Sequence, residues 1–140
     1  MEKLTEDKTI IILIDHLKKK GWKIESYCLG QTRGNDIVAS KNGELLIIEA
    51  KGAKASDDAP TKKRNYFDSG QIKTHFGKAI IKILDEKYIN PKYKYAIAHP
   101  YDALIDKSIG FLVPFLKQLN VGHFWVYTDG TVKEVNNLSY

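Results

Sequence analysis

One segment constrains the fold more than any other, the stretch of residues 44–51 that follows the dipeptide Asn42-Gly43. In a strand, alternate residues point to opposite faces, and the run from Leu45 to Ile48 makes both faces of this segment apolar. A strand that is apolar on both faces is typical of the centre of a sheet covered by helices on either side. The segment therefore predicts the α/β fold class.

Signals for helices and strands alternate along the rest of the chain. Helices are predicted over residues 5–20, over residues 72–83 with Asp68 or Ser69 as the cap, and over residues 102–120 with a kink or break at Pro114. Strands are predicted over residues 22–29, 36–40, 44–51, 93–98, 124–128 and 131–135. The order α-β-β-β-α-β-α-β-β predicts a mixed central sheet flanked by helices, closed by a C-terminal helix and β-hairpin.

Composition limits the kind of protein that can form. The 140 residues with 43% apolar content suit a single domain over residues 1–140. Cys28 is the only cysteine, so an intramolecular disulfide and a Cys-based zinc site are excluded. The longest aliphatic run, residues 10–14, is too short to span a bilayer, and no signal-peptide pattern is present. We expect a cytoplasmic protein with no membrane partner.

The net charge is compatible with a polyanionic partner. The 22 Lys and Arg exceed the 17 Asp and Glu, giving +5. Basic residues cluster at 18–20, at Lys62, Lys63 and Arg64, and at 92 and 94, although a solvated surface explains any one cluster equally well. The cluster Lys62, Lys63 and Arg64 lies in a polar segment long enough to contact a substrate, so we predict that it binds DNA.

The turn chemistry determines which charged residues meet. Asn-Gly is the strongest short signal for a two-residue type I′ hairpin loop, and outward pairing from such a loop places Asp36 opposite Glu49. The alternation of a strand places Lys51 on the same face as Glu49. Three charged side chains are therefore predicted to converge on one face of the hairpin.

Opposed carboxylates at the end of an apolar strand repel each other unless a cation lies between them. Magnesium prefers oxygen ligands, here Asp36, Glu49 and the carbonyl of Ala50, and Lys51 could orient a water or offset charge on a phosphate. The alternative is structural: Asp36 belongs to the loop junction and Lys51 forms an exposed ion pair with Glu49. Glu-x-Lys alone occurs often by chance, but the three residues together favour the functional interpretation.

On these residues the chain resembles the PD-(D/E)XK (restriction-endonuclease-like) nuclease superfamily, whose signature is an Asp on one strand and Glu-x-Lys on the next within an α-β-β-β-α-β core. The resemblance covers residues 5–99, with Asn35-Asp36 in place of Pro-Asp and Glu49-Ala50-Lys51 as the second half. It implies a DNA endonuclease that hydrolyses phosphodiester bonds with Mg²⁺, for which Mn²⁺ substitutes. Asp36 and Glu49 would be metal ligands and Lys51 the catalytic lysine.

Some relatives, including archaeal Holliday junction resolvases, add an acid from the first helix. Glu6 is the candidate because it continues an apolar stripe of that helix, with Glu2 and Asp7 as alternatives. The structural alternative is that Thr5 is the helix N-cap and Glu6 is only a first-turn acid that favours the helix dipole.

The second helix carries further candidates. The resemblance assigns Gln71 to a glutamine that recurs early in this helix of the family, and the alternative is an ordinary solvent-facing residue. Lys73 and Lys78 lie near it and predict a DNA-facing edge. Gly77, inside the helix, suggests close backbone approach, more often to the sheet than to DNA.

Two matters stay open on the sequence. Relatives suggest a homodimer that cuts two strands, or a partner protein that supplies specificity. The alternative to an enzyme is a non-catalytic nucleic-acid-binding or regulatory protein that retains the nuclease fold.

Overall fold

The computed structural model describes residues 3–30, 33–55 and 66–136, and all structural statements concern these ranges. The helices are α1 Glu6–Lys19, α2 Ser69–Ile89 and α3 Ala103–Ile109, and α3 is followed by a 3₁₀ helix, Gly110–Leu119. The strands are β1 Lys23–Tyr27, β2 Ile37–Lys41, β3 Glu44–Ala50, β4 Lys94–Pro100, β5 Val121–Val126 and β6 Val132–Val135. This order agrees with the order predicted from the sequence pattern.

The six strands form one mixed sheet in chain order. Strands β3, β4 and β5 run parallel to their neighbours in this set, and the other pairs are antiparallel. On one face Ile48 packs in a core with Leu13 of α1, and on the other Ile47 packs in a core with Phe76 of α2. The strand with two apolar faces is therefore covered by helices on both sides, as predicted.

The β2–β3 hairpin has the predicted register. Asn42 and Gly43 both have positive φ angles, 52° and 79°, as a type I′ turn requires. Lys41 pairs with Glu44, and the pairing continues outward to Ile37 and Ile48. The next residues outward are Asp36 and Glu49.

The C-terminal part differs in detail from the prediction. The predicted third helix is split, but the break lies at Ile109–Gly110 and Pro114 lies inside the 3₁₀ helix. Proline has no N–H for an α-helical hydrogen bond and its ring crowds the carbonyl four residues earlier, so the tighter helix replaces the α-helix. Strand β5 begins at Val121, earlier than predicted, because Val121 pairs with Tyr95 of β4. Within the described ranges, no helix is long and apolar enough to cross a membrane.

Candidate functional site

Two carboxyl groups meet at the open end of the β2–β3 hairpin. Asp36 directly precedes β2, and its Oδ2 accepts the N–H of Ala50 at 2.8 Å. Glu49 is on β3 with 6% of its surface exposed, and its side chain interacts with that of Asp36. By the alternation of the strand, Glu49 lies on the face of Ile47, the face covered by α2. The predicted opposition of Asp36 and Glu49 is therefore seen in the structure.

Burial and proximity change the acidity of this pair. Burial and the nearby Glu49 carboxylate together raise the pKa of Asp36 to about 7, against the opposing effect of the hydrogen bond from the N–H of Ala50. Asp36 therefore retains a proton over part of the neutral range. A hard cation bound between the two groups would take the place of that proton.

Lys51 follows β3 directly and is on the same face as Glu49. Its Nζ lies 3.7 Å from Glu49 Oε1, and only 20% of the side chain is exposed. The N–H of Lys51 donates to the carbonyl of Ala98, so the chain continues along β4 after the strand ends. The structural alternative predicted an exposed ion pair between Lys51 and Glu49. The pair is present, but both side chains are mostly buried.

Glu6 approaches this group from α1. Thr5 is the N-cap, since its Oγ1 accepts the N–H of Lys8 at 3.2 Å, and Glu6 is the first helical residue. Burial raises the pKa of Glu6, the Lys51 ammonium opposes the shift, and the Glu49 carboxylate adds to it. Glu6 is thus both a first-turn acid and a neighbour of the acidic pair.

The two alternative acids of the N-terminal region differ from Glu6. Asp7 turns to the loop after β1, where its Oδ1 accepts the N–H of Gly30 at 2.9 Å. Glu2 lies outside the described residues. Glu6, whose pKa responds to both Glu49 and Lys51, is therefore the first-helix acid that lies beside the acidic pair.

Gly52 brings α1 close to the end of β3. The N–H of Ala53 donates to the carbonyl of Leu4 at 2.8 Å, which joins the two segments. A Cβ at position 52 would lie 2.5 Å from the backbone N of Glu6, so a side chain there would collide with the start of α1. Sequence reasoning missed this role, although a glycine directly after Glu-x-Lys was a visible signal.

Lys82 of α2 is the main site residue that sequence reasoning missed. Its Nζ lies 2.8 Å from Glu49 Oε2 and 3.3 Å from the carbonyl oxygen of Gly34. Burial disfavours the charged form of Lys82, but its hydrogen bond to Glu49 and the nearby carboxylates outweigh this and raise its pKa. The available signal was helical spacing, since Lys82 lies one turn after Lys78 and three turns after Gln71.

Gln71 occupies a capping position in α2. Its Oε1 accepts the N–H of Asp68 at 2.9 Å, and Asp68 Oδ1 accepts the N–H of Gln71 at 2.8 Å, which forms a capping box. The residue is exposed, as the structural alternative had it. Its side chain is engaged at the helix terminus and not with the acidic pair.

The predicted DNA-binding residues are only partly described. Lys73 and Lys78 are exposed on α2. Lys62, Lys63 and Arg64 lie outside the described residues. The expectation that Gly77 makes a close backbone approach to the sheet is wrong, because a Cβ there would meet no described atom within 4 Å.

A buried histidine pair lies beyond Lys51 on the same face of the sheet. His99 of β4 and His123 of β5 are 2% and 1% exposed, and His99 Nδ1 lies 2.9 Å from His123 Nε2. Their other ring nitrogens have no hydrogen-bond partner among the described residues. Burial lowers the pKa of His99 to about 3, and the positive charge of Lys51 contributes. Both rings are therefore neutral beside the site, and no sequence pattern indicated them.

The donor set suits a hard divalent cation. Magnesium is commonly bound through one or two carboxylates, with waters and phosphate oxygens completing the shell. Asp36 and Glu49 supply two such groups, and the carbonyl of Ala50 is the predicted third ligand. Among the described residues no group of three or more His, Cys, Asp and Glu side chains could hold a metal ion. A magnesium ion held by Asp36, Glu49 and the Ala50 carbonyl would need waters or substrate oxygens to complete its coordination.

The fold and the site together define a mixed α/β protein with acidic and lysine side chains at the end of its central strands. An XisH family protein from Nostoc punctiforme PCC 73102 has a similar structure, with a TM-score of 0.55 and 17% identity over 91% of this chain and 98% of that chain. An FdxN element excision controlling factor protein from Anabaena variabilis gives a TM-score of 0.56 and 18% identity over 92% and 98%. At these identities the likeness concerns the fold alone. No protein-family model matches the sequence, and no curated protein matches it.

Proposed function

We propose that this protein is a metal-dependent DNA endonuclease of the PD-(D/E)XK class that hydrolyses phosphodiester bonds. The observation that carries the proposal is the mostly buried group of Asp36, Glu49 and Lys51, in which burial and mutual repulsion raise the pKa of Asp36 to about 7. Such shifts concentrate at functional sites, where burial and neighbouring like charges adjust the acidity of the reacting groups.

Each residue has a role in the proposed reaction. A Mg²⁺ ion held by Asp36 and Glu49 would supply a Lewis acid for the phosphodiester and a more acidic water. Lys51, held 3.7 Å from Glu49, orients the attacking water or offsets charge that develops on the phosphate oxygens. Glu6 has a raised pKa and is suited to accept a proton near the same place.

The second candidate function is a non-catalytic nucleic-acid-binding or regulatory protein that retains the nuclease fold. One of the structurally similar proteins is described as an FdxN element excision controlling factor, and a controlling factor need not itself be a hydrolase. The same candidate is favoured by the engagement of both Glu49 carboxylate oxygens, with Lys82 at 2.8 Å and Lys51 at 3.7 Å. In this alternative the lysines replace the metal permanently.

Cleavage assays separate the two functions. Wild type and the isosteric variant Glu49→Gln are incubated with supercoiled, linear, single-stranded and four-way-junction DNA in Mg²⁺, Mn²⁺ or chelator. The matched control is Glu44→Gln on the same strand, where Glu44 pairs with Lys94 at the opposite end. Metal-dependent cleavage by wild type and the control, but not by Glu49→Gln, supports the endonuclease. DNA binding without cleavage of any substrate supports the regulatory protein.

A further inference from the structure

The ammonium of Lys82 contacts Glu49 at the place where a metal ion bound by Glu49 would lie. We propose that the Lys82 ammonium is the resident counter-cation of Glu49 in the metal-free protein, and that it leaves Glu49 for a phosphate of the nucleic acid when a divalent cation binds. This inference rests on the proposed function and names a further substrate-binding residue for it.

The contact distances distinguish the two lysines of the site. Lys82 Nζ lies 2.8 Å from Glu49 Oε2, within hydrogen-bond distance, whereas Lys51 Nζ lies 3.7 Å from Oε1. A metal ion bound through Glu49 requires a free carboxylate oxygen. Lys82 therefore competes directly with the metal, and Lys51 does so much less.

The surroundings of Lys82 allow it to move. Its side chain is 42% exposed, while that of Glu49 is 8% exposed. A lysine side chain is flexible and its ammonium is well solvated in water, so Lys82 can rotate to solvent once its contacts with Glu49 and the Gly34 carbonyl are released. The buried Glu49 side chain cannot move to solvent with Lys82, and a buried carboxylate without a cation beside it is unfavourable. Departure of Lys82 is therefore coupled to the arrival of another cation.

The charges at the site require the same exchange. Three carboxyl groups, Asp36, Glu49 and Glu6, interact electrostatically with Lys82. With these three carboxyl groups ionised and Lys51 and Lys82 both in place, three negative charges face two positive ones, and a divalent cation would turn this net negative charge into a net positive one. Movement of one ammonium toward a substrate phosphate removes this excess, because the phosphate brings its own negative charge.

The position of Lys82 on α2 indicates where the free ammonium goes. Lys82 lies one helical turn after the exposed Lys78, so both side chains project from the same side of the helix. That side is the DNA-facing edge predicted from sequence. A phosphate bound there would meet Lys82 beside the metal ligands.

The test measures binding and not cleavage. Calorimetric titrations with Ca²⁺ compare wild type with Lys82→Met, which keeps the length of the side chain without its charge. Lys87→Met, on the last turn of the same helix, is the matched control. We expect Lys82→Met to bind Ca²⁺ about fivefold more tightly, the size of a partly exposed ion pair, and the control to be unchanged. Equal Ca²⁺ affinity in wild type and Lys82→Met would overturn the inference.

Binding of a DNA duplex supplies the second readout. In Ca²⁺, Lys82→Met should bind DNA several-fold more weakly than wild type, and in chelator the two should bind equally, because Lys82 is then engaged with Glu49. An equal loss in both conditions would show that Lys82 contacts DNA without the exchange. If Lys82→Met does not fold, Lys82→Arg takes its place, and tighter engagement of Glu49 by the guanidinium should weaken Ca²⁺ binding.

Parallel cleavage assays keep this inference separate from the proposed function. If wild type cleaves DNA and Lys82→Met binds Ca²⁺ with the wild-type affinity, the exchange is refuted and the proposed nuclease activity stands. The expected Ca²⁺ response without cleavage of any substrate would support the exchange and refute the nuclease. Absence of Ca²⁺ binding by wild type would refute both.

Discussion

Asp36 and Glu49 lie one residue beyond the Ile37–Ile48 pair at the open end of the β2–β3 hairpin, and the Glu49 carboxylate contributes to the raised pKa of Asp36. A pair of this kind is favourable at low pH and unfavourable once both groups ionise. Its stability therefore depends on pH and on cations, and both dependences can be measured.

Asp36→Asn should stabilise the metal-free protein at high pH. The folded pKa of Asp36 is raised from 3.8 to about 7, so its contribution to stability is present below pH 3.8 and is lost as the pH rises through 7. Asparagine keeps the acceptor for Ala50 and removes the charge. Thermal unfolding should show a higher Tm for Asp36→Asn at pH 8.5 and little difference at pH 4. A Tm that falls at pH 8.5 contradicts the buried-pair explanation.

Removal of the carboxylates of Asp36 and Glu49 should abolish both metal-dependent cleavage and metal-dependent stabilisation. A ligand that binds only the folded state raises the Tm, so Mg²⁺ should raise the Tm of wild type and scarcely affect the double variant Asp36→Asn/Glu49→Gln. Differential scanning fluorimetry over a Mg²⁺ titration measures this. Equal shifts in both proteins would place the metal elsewhere.

Lys51→Ala should still bind DNA and divalent cations but cleave orders of magnitude more slowly, because in the proposed reaction Lys51 acts in the transition state and not as a metal ligand. Lys51→Arg should not restore the full rate, since a planar guanidinium does not replace a compact ammonium in a mostly buried position. Single-turnover cleavage measures both. Near-wild-type cleavage rates in both variants would show that Lys51 is only an ion-pair partner of Glu49.

Substitution of two glycines by alanine should have opposite effects. Gly52→Ala places a Cβ 2.5 Å from the backbone N of Glu6 and should destabilise the protein by about 1–3 kcal/mol, as overpacking does. Gly77→Ala, in a helix and with open space around it, should stabilise by about 0.5–1 kcal/mol. Urea unfolding gives both values. Tolerance of alanine at position 52 would contradict the close approach of α1.

The histidine pair should make the protein sensitive to acid. The pKa of His99 is lowered from 6.5 to about 3, so its contribution to stability is present above pH 6.5 and is lost as the pH falls toward 3. Urea unfolding at a series of pH values should show a shallower decline below pH 6.5 for His99→Leu than for wild type. An identical decline in both would assign the acid sensitivity to other groups.

Binding to DNA should weaken steeply with salt if the lysines contact phosphates, because each contact releases counterions. Replacement of Lys73 and Lys78 by alanine should flatten the slope of log K against log salt, and replacement of Lys62, Lys63 and Arg64 should do the same. Titrations at several salt concentrations measure the slopes. An unchanged slope in either variant would show that the replaced residues do not contact DNA phosphates. The lysines at 18–20 would then be tested in the same way.

Local sequence signals are enough to predict the hairpin and the residues that meet on it. Asn42 and Gly43 tolerate positive φ, so the turn type and the register follow from two adjacent residues, and the period of a strand then places Asp36, Glu49 and Lys51 on one face. These relations are local, and local backbone preferences are sufficient for them. The same holds for the two-faced apolar run that made β3 a central strand.

The distant side chains that join this hairpin depend on long-range packing, which the sequence pattern does not reveal. Glu6 and Lys82 come from helices on opposite faces of the sheet, and their approach depends on how closely each helix packs, for α1 on the space that Gly52 leaves open. His99 and His123 meet because β4 and β5 are parallel neighbours in one register. No periodic pattern encodes such distances, since they result from the packing of whole elements.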